Sequence, residues 1–189
     1  MRYLSPKLSS ACYALKQLSP ISNIETLLTV YNSYFQSHLS YGIIFWGNST
    51  DSNKIFKIQK RALRIMSHCN KYTSCRPLFA KFRILPLFSL YIYEILRFCK
   101  RNPVKYLTNS SFHTYRTRHG SSLRSPKHRL TLLEKGVHYS SLKYFNMLPA
   151  ELREERSYSR FSNKLKQLLL NNITYSRTEF EILCAKINN

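Results

Sequence analysis

The chain has 189 residues, 43% of them hydrophobic and 14% aromatic, which is enough apolar surface for a folded core and excludes a disordered basic tail. Thirty Lys and Arg against nine Asp and Glu give a formal net charge of +21, which indicates a polyanionic partner, with nucleic acid as the first candidate. Five irregularly spaced cysteines exclude a disulfide framework and favour a reducing, intracellular location, in the nucleus or the cytoplasm.

Two helices are predicted before residue 43. The first runs from Ser5 to Leu18, where apolar residues recur at helical spacing, and Pro20 ends it. The second begins at Ser22 and Glu25, which have the spacing of a capping box, and ends near Gly42. One face of this second helix carries apolar, aromatic and imidazole side chains, namely Ile24, Leu27, Leu28, Tyr31, Tyr34, Phe35, His38 and Leu39.

A basic amphipathic helix follows and ends near Met66. The run Ile43 to Trp46 before it either extends the preceding helix or forms a short extended piece, and either Asp51 or Ser52 caps the basic helix. Its apolar residues fall on one half of the helical wheel, and five cations occupy an arc of roughly 120 degrees opposite them. These cations are Lys54, Lys57, Lys60, Arg61 and Arg64. The arc is either a solvated face or a phosphate-binding surface, and the net charge favours the second interpretation.

The segment from Leu87 to Phe98 predicts a helix that is covered on more than one side, because apolar residues surround nearly its whole circumference. Glu94 on this helix is expected to be a buried, paired carboxylate. The longest apolar stretch, Ile84 to Phe98, contains Pro86 and is shorter than the ~20 residues that a bilayer requires, so no membrane partner is expected.

Residues 102–135 predict a basic, loop-rich linker in which helical periodicity disappears. Its cations suit contacts to phosphates, although a solvated linker remains open. The candidate phosphate-binding residues are Arg116, Arg118, Arg124, Lys127 and Arg129. Beyond the linker we expect a short helix from Tyr139 to Met147, another from about Ser159, and a weakly ordered tail over 176–189.

Catalytic and metal-binding constellations are missing from the sequence. Asp51 is the single aspartate, whereas two-metal polymerases and nucleases need clustered carboxylates. The glutamates between residues 151 and 155 alternate with arginines, and pairing within a helix explains them. His68, Cys69 and Cys75 match no zinc-ligand spacing. We therefore expect no catalytic residue, no metal, no cofactor and no enzymatic activity from this chain alone.

Five segments, in their order, resemble reverse transcriptases of non-LTR, LINE-type retrotransposons, most closely the jockey-like elements. The segments are KLSSACYALKQL, then YNSYFQSHLSYGIIFWGNS with IQKRALRIM, then CRPLFAKFRILPLFSLYIYEILRF, HTYRTRHGSSLRSPKHRL, and KYFNMLPAELRE with the predicted helix of Phe161, Leu165 and Leu169 downstream. Together they cover about Lys7 to Leu170. The similar region of that family is the thumb and the extension after it. The resemblance implies a helical bundle that grips a template-primer duplex, followed by a basic segment that contacts target DNA or element RNA.

The expected fold is mainly α: a thumb-like helical bundle over 5–101, the linker over 102–135, a C-terminal helical segment over 136–175 and the tail. The family's catalytic aspartates lie in a palm upstream of the part that resembles Lys7 onward, so we expect a truncated polymerase fragment. Its expected partners are RNA, DNA or an RNA/DNA hybrid, together with the missing palm in a full-length element. The alternative is a non-catalytic structural remnant that packed against that palm.

Overall fold

The fold is mainly α-helical, as the sequence predicts. The structure is a computed structural model that describes residues 2–103, 106–109, 115, 122–125, 134 and 136–188. The chain forms two compact units: one contains Met1–Tyr91 and Leu170–Tyr175, the other Ile92–Leu169 and Ser176–Asn189. In the described ranges, no helix combines the length and the apolar character needed to cross a membrane.

The first unit is built around helix α1 (Leu4–Leu18) and helix α5 (Ser52–Met66), which pack against each other. The predicted bounds of both helices are confirmed to within a residue or two. Each helix buries one apolar stripe, since side chains three and four positions apart lie on the same face. The buried residues of α1 are Leu8, Ala11, Cys12 and Leu15, and those of α5 include Ile55, Phe56, Ala62, Leu63 and Met66.

The predicted second helix consists of α2 (Ile24–Val30), a π-helical segment (Tyr31–Gln36) and α3 (Ser37–Ser40). Its cap differs from the predicted capping box. Asn23 is the N-cap, and its side-chain oxygen accepts a hydrogen bond from the Thr26 N–H at 2.9 Å. An asparagine oxygen two or three residues before a free N–H satisfies that donor without help from Ser22 or Glu25.

The run Ile43 to Trp46 is helical rather than extended, and it forms a separate turn, α4 (Ile43–Trp46), instead of extending the preceding helix. Gly42 adopts φ +60°, a conformation that disfavours side-chain-bearing residues, and it separates α4 from α3. Gly47 follows α4, where an added Cβ would lie 2.5 Å from Cδ2 of Tyr91. Neither predicted cap of α5 uses its side chain for capping: the Asp51 side chain makes no cap hydrogen bond, and the Ser52 hydroxyl donates to the Ser49 carbonyl at 2.7 Å.

Helix α6 (Arg76–Lys81) and helix α7 (Leu87–Arg101) follow. The prediction that α7 is covered on several sides is confirmed, because all of its residues from Leu87 to Ile92 are buried. Glu94 is half-buried rather than buried, and it is paired with the Arg97 guanidinium at 2.9 Å.

The two units do not divide at the predicted boundary after residue 101. The division falls within α7, and residues 170–175 belong with the N-terminal part of the chain. Two contacts explain their position: the Ser89 hydroxyl lies 2.9 Å from that of Thr174, and the Tyr175 ring packs edge to face on Phe56 at 5.0 Å. Buried hydroxyl pairs and aromatic edges of this kind fix a segment in place.

The second unit contains α8 (Val137–Met147), α9 (Ala150–Arg153), most of α10 (Tyr158–Asn171) and α11 (Arg177–Asn188). Helix α11 corrects the prediction of a weakly ordered tail over 176–189. Phe180 is fully buried and its ring lies 5.9 Å from that of Tyr144, and Cys184 is also buried. The apolar residues of this helix therefore dock on α8, and a docked face stabilises a helix whose own propensity is weak.

Two backbone segments of the predicted loop-rich linker are hydrogen-bonded to each other. Thr108 and Leu123 form an isolated antiparallel bridge. The Asn146 side chain continues this pairing, since it donates to the Leu123 carbonyl and accepts from the Leu123 N–H, each at 2.8 Å. A side-chain amide that satisfies both backbone groups of one residue holds that residue as a neighbouring strand would.

Candidate nucleic-acid interface

Helix α5 separates its charges from its apolar residues as the wheel predicts, but several of its five cations already have partners within the first unit. Lys54 is paired with the only aspartate: Nζ lies 2.8 Å from an Asp51 carboxylate oxygen. The hydrogen bond and the charge attraction lower the pKa of Asp51 and raise that of Lys54. Lys54 therefore brings no net positive charge to a polyanion unless this pair opens.

Lys60 and Arg64 are partly engaged within the first unit. The Lys60 Nζ lies 4.8 Å from the centre of the Phe56 ring and 5.9 Å from that of Tyr175, which is cation–π geometry. The Arg64 Nε donates a hydrogen bond to the Thr73 carbonyl at 2.9 Å. Both side chains are half-buried, whereas Lys57 and Arg61 are exposed. Lys60 and Arg64 therefore help to hold the first unit together, whereas Lys57 and Arg61 are accessible to a ligand.

A cationic groove lies between the C-terminal ends of α1 and α5. Its volume is about 560 Å³. Among the residues that the structure describes, no aspartate or glutamate lines it. The lining residues are Lys16, Ser19, Pro20, Arg61, Arg64, Ile65, His68, Cys69 and Lys71. Four permanent positive charges around one concave surface attract an anion more strongly than the same charges spread over a convex one, because low-dielectric walls focus the field.

Two of these cations, Lys16 and Lys71, are not among the binding residues predicted from the sequence. Lys16 lies in the last turn of α1 and Lys71 in the loop after α5, so neither shares a helix face with Arg61. The packing of α1 on α5 brings Lys16 to the groove, and the turn after α5, which Arg64 holds through the Thr73 carbonyl, brings Lys71 there. The signal available in the sequence was the scarcity of acids, since Glu25 and Asp51 are the only two in the first unit against twelve Lys and Arg.

Ser19 fixes the wall of the groove. Its hydroxyl donates to the Ile65 carbonyl at 3.1 Å and lies 3.2 Å from Nδ1 of His68. Because the hydroxyl proton is used on Ile65, the oxygen is left to accept from the imidazole N–H. His68 itself is exposed and has φ 51°, a left-handed conformation that turns the chain out of α5. The groove is therefore held by hydrogen bonds between residues that lie 46 and 49 positions apart in the chain.

The second predicted set of cations is described only in part. Arg124 is exposed, and its backbone N–H donates to the Leu107 carbonyl at 2.8 Å beside the Thr108 and Leu123 bridge. It belongs to the second unit. The remaining members, Arg116, Arg118, Lys127 and Arg129, lie outside the described residues.

The side chains that a catalytic or metal site would need are not clustered in the described part of the chain, and several of them are buried or paired. Within the part of the chain that the structure describes, no three His, Cys, Asp or Glu side chains come close enough together to hold a metal ion. Burial raises the pKa of the Cys12 thiol to about 11 and that of Cys99 to about 12, which disfavours a reactive thiolate. Glu155 is paired with Lys164 at 2.7 Å, so pairing within one helix is the wrong explanation for that glutamate. Helix α9 ends at Arg153, before Glu155 is reached.

Comparison of the chain with models of protein families, with curated proteins and with solved structures found no match.

Proposed function

We propose that this chain binds nucleic acid without sequence specificity, through phosphate contacts made by the groove between α1 and α5. The observation that carries the proposal is the convergence of Lys16, Arg61, Arg64 and Lys71 on one concave surface, with no Asp or Glu among the described residues that line it. Phosphate contacts supply most of the affinity of non-specific nucleic-acid binding, and Lys and Arg are the side chains that make them.

The resemblance to the thumb of LINE-type reverse transcriptases supports the same proposal, since a thumb grips nucleic acid by its backbone. Under it, RNA, DNA or an RNA/DNA hybrid is the partner, and Arg124 with the other cations of residues 102–135 adds further phosphate contacts. Catalysis is not part of the proposal, because a chain with one aspartate lacks the carboxylate cluster that polymerase chemistry uses.

A second candidate function is contact with another protein, such as the palm of a full-length polymerase. Tyr41 and Phe45 favour it, because they are 85% and 78% exposed on the turn that contains α4. Exposed aromatic side chains are frequent anchors of protein interfaces. In that case the groove would make no salt-dependent contact with nucleic acid.

The deciding experiment measures binding of the purified chain to a labelled RNA/DNA hybrid over a salt series. The test variant carries Lys16→Gln, Arg61→Gln and Lys71→Gln, and it leaves Arg64 intact because Arg64 holds the Thr73 carbonyl. The matched control carries Lys7→Gln, Lys81→Gln and Lys166→Gln, which removes the same charge from exposed positions that do not line the groove.

We expect the groove variant to lower the slope of log affinity against log salt by about one unit for each lost phosphate contact, roughly three in all. The control should change the slope by less than one unit. Equal effects of the two variants would show that total charge, not the groove, attracts the nucleic acid. An absence of salt-dependent binding by the unaltered chain would contradict the proposal and favour the protein-contact alternative. A nucleotide-incorporation assay should read background.

A further inference from the structure

A short turn that carries one lining residue of the groove, Lys71, also carries an exposed aromatic ring, Tyr72. The Thr73 N–H donates to the Asn70 carbonyl at 3.0 Å, which closes a turn with Lys71 and Tyr72 at its centre. The hydrogen bond from Arg64 Nε to the Thr73 carbonyl at 2.9 Å attaches this turn to α5. The turn is therefore positioned before any ligand arrives, and a ligand that uses it would lose little chain entropy.

Tyr72 is 81% exposed at the tip of that turn. The Nζ of Lys71 lies 4.9 Å from the centre of its ring, and Lys71 also lines the groove. An exposed ring and a groove cation are thus direct neighbours. Leaving a tyrosine ring in water forgoes the free energy of burying its apolar surface, so the ring is well placed to receive a flat apolar group.

A polyanion that also offers flat apolar faces is a nucleic-acid strand whose bases are unpaired. In a duplex the bases stack on each other and present only their edges and the backbone, so a duplex could use the groove but not the ring. In a single strand each base has a free face, and stacking on an aromatic side chain is a recurrent way to bind it.

We propose that the groove binds single-stranded nucleic acid or an unpaired strand end, with phosphates on Lys16, Arg61 and Lys71 and one base stacked on Tyr72. This inference rests on the proposed function, since it uses the same groove. It adds a preference for unpaired over paired strands and assigns the stacking contact to a residue outside the predicted cationic set.

The test compares three probes of equal length: an oligothymidine, the same phosphate backbone without bases, and a duplex. The variants are Tyr72→Ala, which removes the ring, and Tyr72→Phe, which keeps it. Tyr41→Ala is the matched control, because Tyr41 is 85% exposed and, unlike Tyr72, has no chain neighbour that lines the groove. Urea unfolding of each variant confirms that the fold is intact.

We expect Tyr72→Ala to weaken oligothymidine binding by about five- to 150-fold, the range that loss of one stacked base gives. Tyr72→Phe and Tyr41→Ala should bind as the unaltered chain does. Tyr72→Ala should not change the salt slope or the affinity for the base-free backbone, because it removes no phosphate contact. A groove variant behaves differently, since it weakens all three probes.

A spectroscopic variant gives an independent readout. Trp46 is the only tryptophan, so Trp46→Phe with Tyr72→Trp moves the single indole to the turn that carries Lys71. Its fluorescence should be quenched by oligothymidine and not by the base-free backbone.

Equal affinity of the unaltered chain for oligothymidine and the base-free backbone, or equal quenching by both, would overturn this inference while leaving phosphate binding by the groove intact. Self-association that Tyr72→Ala abolishes, without any change in oligothymidine binding, would also overturn it and assign the ring to a protein contact. Absence of binding to every probe would instead refute the proposed function.

Discussion

Gln59 makes the most informative single test of how the first unit is held together. It lies on the apolar face of α5 and is fully buried. Its Nε2 donates to the Tyr31 hydroxyl at 3.1 Å and to the Leu85 carbonyl at 3.0 Å, and its Oε1 accepts from the Leu87 N–H at 2.8 Å. One amide thus joins α5 to the π-helical segment and to the start of α7.

Replacement Gln59→Leu keeps the side-chain volume nearly constant and removes all three hydrogen bonds. A buried polar group left without a partner costs about 1–3 kcal/mol, and three such groups remain. Taking the lower part of that range, and subtracting the gain from burying a leucine, we expect a loss of about 3–4 kcal/mol in the free energy of unfolding. Urea denaturation followed by the fluorescence of Trp46 measures this loss.

The control is a double-mutant cycle with Tyr31→Phe. If the Gln59 and Tyr31 side chains are coupled as the structure has them, the double variant should lose about 1 kcal/mol less than the sum of the two single variants. A Gln59→Leu chain within 1 kcal/mol of the unaltered one, or strictly additive losses, would refute the assignment of this network as a support of the fold.

Three further outcomes are expected. Gly47→Ala should destabilise the chain by about 2 kcal/mol in urea denaturation, since its Cβ would lie 2.5 Å from Tyr91 Cδ2 and 2.8 Å from the Ile43 carbonyl oxygen; a neutral effect would mean that this packing relaxes freely. Burial raises the pKa of the Tyr31 phenol in the folded chain above its value of about 10 in the unfolded chain. Below about pH 10 the phenol is neutral in both states. Above that pH the phenol ionises first in the unfolded chain, so the free energy of unfolding should fall by up to about 1.4 kcal/mol per pH unit. Tyr31→Phe should remove that part of the alkaline decline, and an unchanged pH profile would exclude Tyr31 as its source. Phe180→Ala should cost about 3–5 kcal/mol and abolish the hydrogen-exchange protection of α11, whereas unprotected amides in the unaltered chain would restore the prediction of a weakly ordered tail.

Much of the first unit follows from local pattern. Apolar residues three and four apart predict α1, α5 and α7 close to their observed bounds, because a helix has a fixed period and the core selects one face. The same period separates the cations of α5 from its core. Helix caps were less predictable: Asn23 and not Ser22 caps α2, since several polar residues near a helix start can satisfy the same N–H groups.

Helical periodicity does not predict which partner an individual polar or charged side chain contacts. Gln59 occupies a core position that its polarity argues against, and its hydrogen bonds to the Tyr31 hydroxyl and to the backbone of residues 85 and 87 explain its burial. Likewise, Lys60 and Arg64 share the cationic arc of α5, yet one lies against the rings of Phe56 and Tyr175 and the other holds the Thr73 carbonyl.

Local pattern is sufficient to predict a mainly helical chain with a large excess of positive charge and one helix whose basic face lies opposite its apolar face. It does not predict which of the charges meet. Lys16 and Lys71 join Arg61 and Arg64 because α1 packs on α5 and the turn after α5 folds back onto it. Helical periodicity fixes the side of a helix that faces the core, whereas the convergence of charges depends on contacts between residues far apart in the chain.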